Sequence, residues 1–344
     1  MMKKPLFGRK EPLTDTQLLM TIAICIFIVM YVLAITLLGG GFLRPKQIFD
    51  MLNDNASLII VSCGLTIVMI GGGIDISVGA VTSLVVMSCV LYLNKGGNIF
   101  VSVLLAVGIG LAFGLVQGFL ISYLEIQPFI VTLAGMFFAR GMTTILSVNP
   151  QKADHAAFAA LRAKKIEISW LGYTAKNGNR VPAQIELGVV IAFACLVLVF
   201  LLLRYTRLGR GFYAVGGNQR SALMLGINVK RTRFLSYVIS GLLSGISGYV
   251  FLLHTGAGNA TNADGMEMNA IAAAIIGGTL LTGGVGTVIG SFFGVMILTT
   301  IKKIVVTSGL NAPWWQSITT GGMLCFFILL QSVVLSRRAK KKKT

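Results

Sequence analysis

The sequence predicts an all-α, polytopic membrane bundle of about ten spanning helices. Three observations carry this reading. Apolar residues make up 55% of the 344 residues, and charged residues only 12%. Mean hydropathy is +0.84. Apolar segments recur from Leu18 to Leu335, and a hydrocarbon core about 30 Å thick needs roughly 20 apolar residues per helix.

The first segment, Leu18–Leu38, is too long for a signal-peptide core, and no small-residue cleavage site follows it, so it reads as a retained span. Ser57–Ile70 and Ser77–Leu93 follow as the second and third, parted by a glycine cluster. Ile99–Leu124 and Phe129–Val148 are the fourth and fifth, joined by a turn holding Glu125, Gln127 and Pro128. The sixth is Ile185–Arg204, the seventh Phe234–Leu253, the eighth the short Asn269–Leu281. Val285–Val306 and Gln316–Leu335 complete the set. Residues 1–344 form one membrane domain. Its polar parts are an N-terminal segment 1–17, a loop 149–184, a second loop 205–233 and a basic tail 336–344. With an even number of spans both termini share a side. Placing them in the cytoplasm puts more than half of the 29 Lys and Arg residues there, as the positive-inside rule expects. Residues 149–184 then face outward and 205–233 inward. Lys302 and Lys303 fit less well; either they snorkel or the edge of the ninth span lies elsewhere.

The net charge of +18 belongs to these loops and to anionic lipid rather than to nucleic acid. All five cysteines (Cys25, Cys63, Cys89, Cys195, Cys325) fall in apolar segments and read as small buried core residues, not as a disulfide framework. With two histidines in the chain, no metal site is expected. H-E-x-x-H, paired carboxylates and a nucleophile–base set are all missing, so the chain reads as no enzyme.

Glycines carry the rest of the pattern. Gly110, Gly114 and Gly118 share one face of the fourth span, Gly286, Gly290 and Gly294 one face of the ninth, and Gly241 and Gly245 lie on the seventh. Such spacing lets helix backbones approach closely where lipid offers no hydrophobic drive. Two other clusters read as broken helix at membrane depth. One is Gly71-Gly72-Gly73-Ile74-Asp75-Ile76-Ser77-Val78-Gly79. The other is Gly277-Gly278 through Thr282-Gly283-Gly284 to Gly286. Short, interrupted spans in both halves point to an inverted repeat and a transport pathway, with spans two to five beginning outside and seven to ten inside. Asp75, Ser77, Gly277, Gly278, Thr282, Gly283 and Gly284 are the pathway candidates. Asp75 either lines a cavity or caps the next helix at the cytoplasmic rim. Arg140, inside the fifth span, needs a partner. Asn55, Ser57, Thr66, Thr132, Thr143 and Thr282 form a sparse polar lining suited to an uncharged solute.

In the loop 205–233, Asn218 is a good N-cap. Gln219–Leu225 can form two helical turns, and Gly226 can end them. The segment Asn218, Gln219, Arg220, Ser221, Leu225, Gly226 suits docking into a groove of a soluble partner; the alternative is an interfacial helix lying on lipid.

Gly73–Gly79, Thr206–Asn228 and Asp264–Gly290 resemble permease subunits of bacterial ATP-binding-cassette importers, in the ribose-type branch of the branched-chain amino acid/ribose permease family. Gln127–Gly141, Gly277–Gly294 and Trp314-Trp315 look closest to galactofuranose-importer permeases. The resemblance covers nearly the whole chain. It implies a bacterial inner-membrane protein and a pair of permease subunits. It also implies two cytosolic ATPases, which bind ATP and Mg²⁺, and a periplasmic or lipid-anchored sugar-binding protein. Asn218–Gly226 would be the helix that couples to an ATPase, and the cargo a monosaccharide such as galactofuranose or ribose. Gln219-Arg220-Ser221 departs from relatives that carry an acidic residue and two alanines there, which implies a more acidic ATPase groove. The chain itself has no G-x-x-x-x-G-K-S/T loop, so it needs no nucleotide cofactor of its own. The alternative is an ion-coupled secondary transporter, for which Asp75 and, less well placed, Glu186 and Glu267 are the carboxylates that could qualify.

Overall fold

The structure is a computed structural model that describes residues 15–39, 42–174, 180–310 and 312–341. Most of the segment 1–17 and the end of the tail 336–344 lie outside them. In chain order the helices are α1 (Asp15–Leu38), α2 (Lys46–Ile70), α3 (Val78–Asn94), α4 (Ile99–Ser122) and α5 (Pro128–Leu146). Then come α6 (Ala156–Ala163), α7 (Leu187–Tyr205), α8 (Arg207–Gly217), α9 (Gln219–Met224) and α10 (Val229–Thr255). Last are α11 (Met266–Ile276), α12 (Val288–Thr307) and α13 (Pro313–Lys341). Among the described residues, eight helices are long and apolar enough to cross a membrane, and α3 and α11 are shorter apolar helices. The chain is an all-α polytopic bundle.

Several boundaries differ from the sequence reading. The second span is not short: α2 has 25 residues and starts at Lys46 rather than Ser57. Its first turns are polar because they are tied to neighbours. Lys46 pairs with Asp50 at 2.8 Å, Asn53 donates to the Gln184 carbonyl at 2.8 Å, and Asp54 meets Lys303 at 3.2 Å. Conversely, α11 has only 11 residues and stops at Ile276, short of Leu281. Gly277 follows with its α-carbon against the Gly290 backbone, and Gly278 turns at φ +93°. Gly286 precedes α12 instead of lying on its face.

The loop 149–184 is folded. Strand β1 (Gln151–Lys152) pairs with β4 (Ala257–Gly258). Strands β2 (Lys165–Thr174) and β3 (Arg180–Glu186) form an antiparallel hairpin with Lys165 opposite Glu186. Hydropathy marks membrane spans rather than polar strands such as these, and β1 also depends on a partner far along the chain.

At the core, α10 packs against α2, α3 and α4. A Cβ on Gly110 would collide with the Gly241 carbonyl and stand 2.8 Å from the Gly245 Cα, and one on Gly114 would stand 2.7 Å from the Tyr237 carbonyl. Gly118 faces Phe234 in the same seam, and Gly290 and Gly294 of α12 lie against Gly277 and Ala273. Helices α4, α5 and α13 turn large apolar side chains outward, among them Phe100, Phe137, Phe138 and Leu329. Cys63, Cys89 and Cys195 are buried, but Cys25 and Cys325 are exposed on such outer faces, contrary to the expectation that all five fill the core.

Most of the expected polar lining instead joins or stiffens helices. Ser57 and Ser247 share a hydrogen bond at 2.6 Å, as do Thr66 and Ser291. Asn55, Thr132 and Thr143 donate to carbonyls of their own helices. Lys302 and Lys303 do more than snorkel. Lys302 donates to Asn269 Oδ1 at 2.8 Å, while Lys303 pairs with Asp54.

Candidate functional site

The end of the bundle that holds the loop 205–233 gathers most of the sequence-predicted residues. Thr206 caps α8, accepting from the Gly209 N–H at 3.0 Å. After α8 the chain turns at Asn218, whose Oδ1 accepts the Ser221 N–H at 3.0 Å and starts α9. Gly226, at φ +77°, ends it. The Gly226 N–H reaches the Leu223 carbonyl and the Ile227 N–H the Ala222 carbonyl, an arrangement only a left-handed residue closes well. Ala222 is buried underneath, while Leu223, Met224 and Leu225 are 65%, 87% and 78% exposed. Arg220 is exposed as well, so α9 presents a greasy, basic knob. Helix α8 was not foreseen, because its glycines read as a tight turn.

Beside the knob lies a groove of about 1140 Å³, walled by Gln219, Leu223 and Ile227 on one side and by Glu125, Ile126 and Gln127 on the other. Glu125, at φ +57°, pairs with Lys230 at 2.9 Å. Hydrogen bonding and charge from Lys230 hold its carboxyl below the ordinary value. The turn between α4 and α5 is thereby linked to the start of α10.

Just behind α9, three glycine turns from distant parts of the chain meet. The Gly284 N–H donates to the Ile70 carbonyl at 2.8 Å, and the Tyr213 hydroxyl donates to the Gly286 carbonyl at 2.8 Å. A Cβ on Gly216 would collide with the Ile70 carbonyl. One on Gly283 would stand 2.9 Å from the Gly72 Cα, and one on Gly284 2.7 Å from the Gly217 Cα. Gly72, Gly283 and Gly284 have φ of +80°, +85° and +74°. Thr282 shares this turn, and Gly277 and Gly278 enter it from α11. Side chains are excluded, so backbone touches backbone. A displacement of α8 must move both turns.

Asp75 follows directly and is 2% exposed. It therefore does not sit at a solvated rim. Its Oδ1 accepts the Ser77 N–H at 3.0 Å and the Ser77 hydroxyl at 2.7 Å, and its Oδ2 accepts the Ser240 hydroxyl at 2.8 Å. Gln117 Nε2 donates to Ser77 Oγ at 3.0 Å. The carboxylate organises the start of α3 and ties it to α4 and α10. Sequence reasoning missed Gln117, Tyr213 and Ser240. The repeat Ser236, Ser240, Ser244 on α10 was the available signal for the last.

Farther along, Arg140 of α5 finds its partners in the segment between β4 and α11. It donates to the Ala260 carbonyl at 3.2 Å and the Asn262 carbonyl at 2.7 Å, and lies 3.4 Å from Asp264. Glu267, in the first turn of α11, is buried against Gly79. At the opposite end of the bundle from α9, Glu186 accepts from His254 at 2.7 Å and Lys165 at 3.0 Å. Burial raises its carboxyl, but those two hydrogen bonds outweigh it and leave the group below its ordinary value. No cluster of three or more His, Cys, Asp or Glu that could hold a metal occurs among the described residues.

Residues 47–328 match the family described as branched-chain amino acid transport system / permease component. The chain is 38% identical over 301 residues to the inner membrane ABC transporter permease protein YjfF of Escherichia coli, covering 86% of each chain. It is 33% identical to the fructose import permease protein FruG of Bifidobacterium longum, covering 87% of each. It is 30% identical to the ribose import permease protein RbsC of Escherichia coli, covering 83% of this chain and 84% of the relative. No solved structure gives a significant match.

Proposed function

We infer that this chain, which belongs to the branched-chain amino acid transport system / permease component family, is the membrane permease of an ATP-binding-cassette sugar importer. The observation that carries this is the likeness, over more than four-fifths of the chain, to permeases named for fructose and ribose import. It favours this reading over an ion-coupled carrier. The family is one of transport components, so the chain's work is passage rather than catalysis.

The finer assignments are supported by geometry and charge together with the resemblance to importer permeases. The end bearing α8 and α9 faces the cytoplasm, where Arg207, Arg210, Arg220, Lys230, Arg231 and Arg233 obey the positive-inside rule. The α9 knob, Asn218–Gly226, docks on one of two cytosolic ATPases. Its Leu223, Met224 and Leu225 fill an apolar groove, and Arg220 selects an acidic one. A sister permease, identical or homologous, completes the membrane pair, and a soluble sugar-binding protein docks at the β2–β3 end. The ten-helix count and the inverted repeat belong to this reading.

Motion of α9 passes through α8 to the glycine junction. From there it reaches the turns holding Asp75, Ser77, Gly277, Gly278, Thr282, Gly283 and Gly284, which flank the pathway. The cargo is a monosaccharide with an accessible furanose form, such as galactofuranose or ribose. Such a solute needs hydrogen bonds rather than a buried countercharge.

The test is reconstitution in proteoliposomes with the cognate ATPase and binding protein, using radiolabelled ribose, fructose and galactose. ATP-dependent uptake of at least one sugar, lost when either partner is omitted, is the expected result. Vigorous uptake by the chain alone under an ion gradient would overturn the reading.

A further inference from the structure

We propose that the groove between α11, α12 and α13 is a station for the travelling sugar, distinct from the turns around Asp75 and Gly283. The proposal rests on the sugar-import reading. It names a place and a set of hydrogen-bonding groups that this reading leaves open.

The groove holds about 560 Å³, within the range of small-molecule sites, about 300–1,000 Å³. Asn269, Lys302, Gln316, Ser317 and Thr320 supply its polar lining, Met268 an apolar wall, and Gly321 an open floor. This is a mixed surface between three apolar helices, open to the outside of the bundle at Met268 and Gly321. A cation in such a segment is costly unless it has work to do. Lys303, one residue on, is neutralised by Asp54 at 3.2 Å. Lys302 has no carboxylate partner among the described residues. It gives one hydrogen to Asn269 Oδ1 at 2.8 Å, and an ammonium carries three. Its remaining donors and the Asn269 amide N–H groups have no protein acceptor among the described residues.

Acceptors are present too. The Thr320 hydroxyl donates to the Gln316 carbonyl at 2.8 Å, which leaves its lone pairs free. The Gln316 side chain adds an amide that both donates and accepts. A sugar ring presents the same mixture, with each hydroxyl both donor and acceptor and an apolar C–H face for Met268. No carboxylate lines the groove, so it supplies no countercharge for a cationic solute. Hydroxyls leaving water need replacement hydrogen bonds, and this lining supplies them without the deep affinity that would trap the solute.

The test uses the complete importer in proteoliposomes with the same three labelled sugars. At Gly321, and equally at Gly322, a Cβ would meet nothing within 4 Å, so both positions accept a large side chain. Only Gly321 lines the groove. Gly321→Trp should lower ATP-dependent uptake about tenfold or more, while Gly322→Trp stays within about twofold. Binding-protein-stimulated ATP hydrolysis and permease pairing on gel filtration should persist in both. Lys302→Met should lower the rate at saturating binding protein, and Lys302→Arg should restore part of it.

Normal uptake by Gly321→Trp overturns the proposal. So does equal damage from Gly322→Trp, which would mark the effect as one on the helix surface. Loss of permease pairing in Gly321→Trp would make the groove a seam between subunits and overturns it as well. Uptake of none of the sugars by the native assembly sinks the import reading itself, an outcome separate from any of these.

Discussion

The Ser240 hydroxyl donates to Asp75 Oδ2 across 2.8 Å, so one side chain at the middle of α10 fixes a buried carboxylate in the turn between α2 and α3. Ser240→Ala leaves that oxygen without its donor in a site water does not reach. The expected loss is about 1–3 kcal/mol, the cost of a buried acceptor left unsatisfied. Thermal unfolding of the purified protein in nanodiscs reads it. Asp75→Asn keeps the shape and loses the charge, and should cost less than Asp75→Ala. Equal costs for the two would mean that the carboxylate's hydrogen bonds do not hold the turn.

Gly216 and Gly217 are adjacent but differ in their surroundings. A Cβ on Gly216 collides with the Ile70 carbonyl and stands 2.7 Å from the Gly284 nitrogen, while one on Gly217 meets nothing within 4 Å. Gly216→Ala should therefore force the three turns apart, at roughly 1–3 kcal/mol, and lower uptake per ATP hydrolysed. Gly217→Ala should do neither. Transport and ATPase rates of the two variants, measured side by side, decide whether the junction relays motion.

The α9 knob is apolar and outward-facing at Leu223, Met224 and Leu225. Met224→Glu adds a charge at its most exposed point without touching the fold. Retention of the ATPase during copurification should fall about tenfold, the effect of removing an interface anchor worth ~1.4 kcal/mol. Membrane insertion should be unchanged. Unaltered copurification would place the ATPase contact elsewhere.

At the other end, Glu186 joins the start of α7 to Lys165 of β2 and His254 of α10. Its folded value lies below the ordinary one, so its contribution is fully present above about pH 5, since an unperturbed Glu titrates near 4.3. That contribution is lost as pH falls through the lower folded value. The gap in unfolding temperature between wild type and Glu186→Gln should shrink as pH falls below about 5. A gap independent of pH would show that ionisation of Glu186 is irrelevant to the clasp.

The order of the spans was legible from hydropathy, because ten apolar stretches separated by polar turns admit few arrangements. The caps were legible too: Asn218 and Gly226 bound α9 for local reasons of hydrogen bonding and φ. What misled was polarity with a distant cause. Asn53 and Asp54 look like residues before a helix, yet they lie within α2 because Gln184, Glu186 and Lys303 satisfy them. The β2–β3 hairpin was hidden because its polar strands carry no hydropathy signal, and α8 because its glycines read as a turn. The glycine pairs were visible in the sequence as clusters, but not as partners of one another.

By itself the sequence determined the all-α membrane bundle and the capped turn that became α9. These depend on composition and on neighbours a few residues away. Only tertiary structure decided that Gly72, Gly216 and Gly283 meet and that Asp75 is held by Ser240. It alone put Lys302 into a groove with Gln316 and Thr320. Those pairings join residues far apart in the chain, and close packing, which no local pattern encodes, selects them.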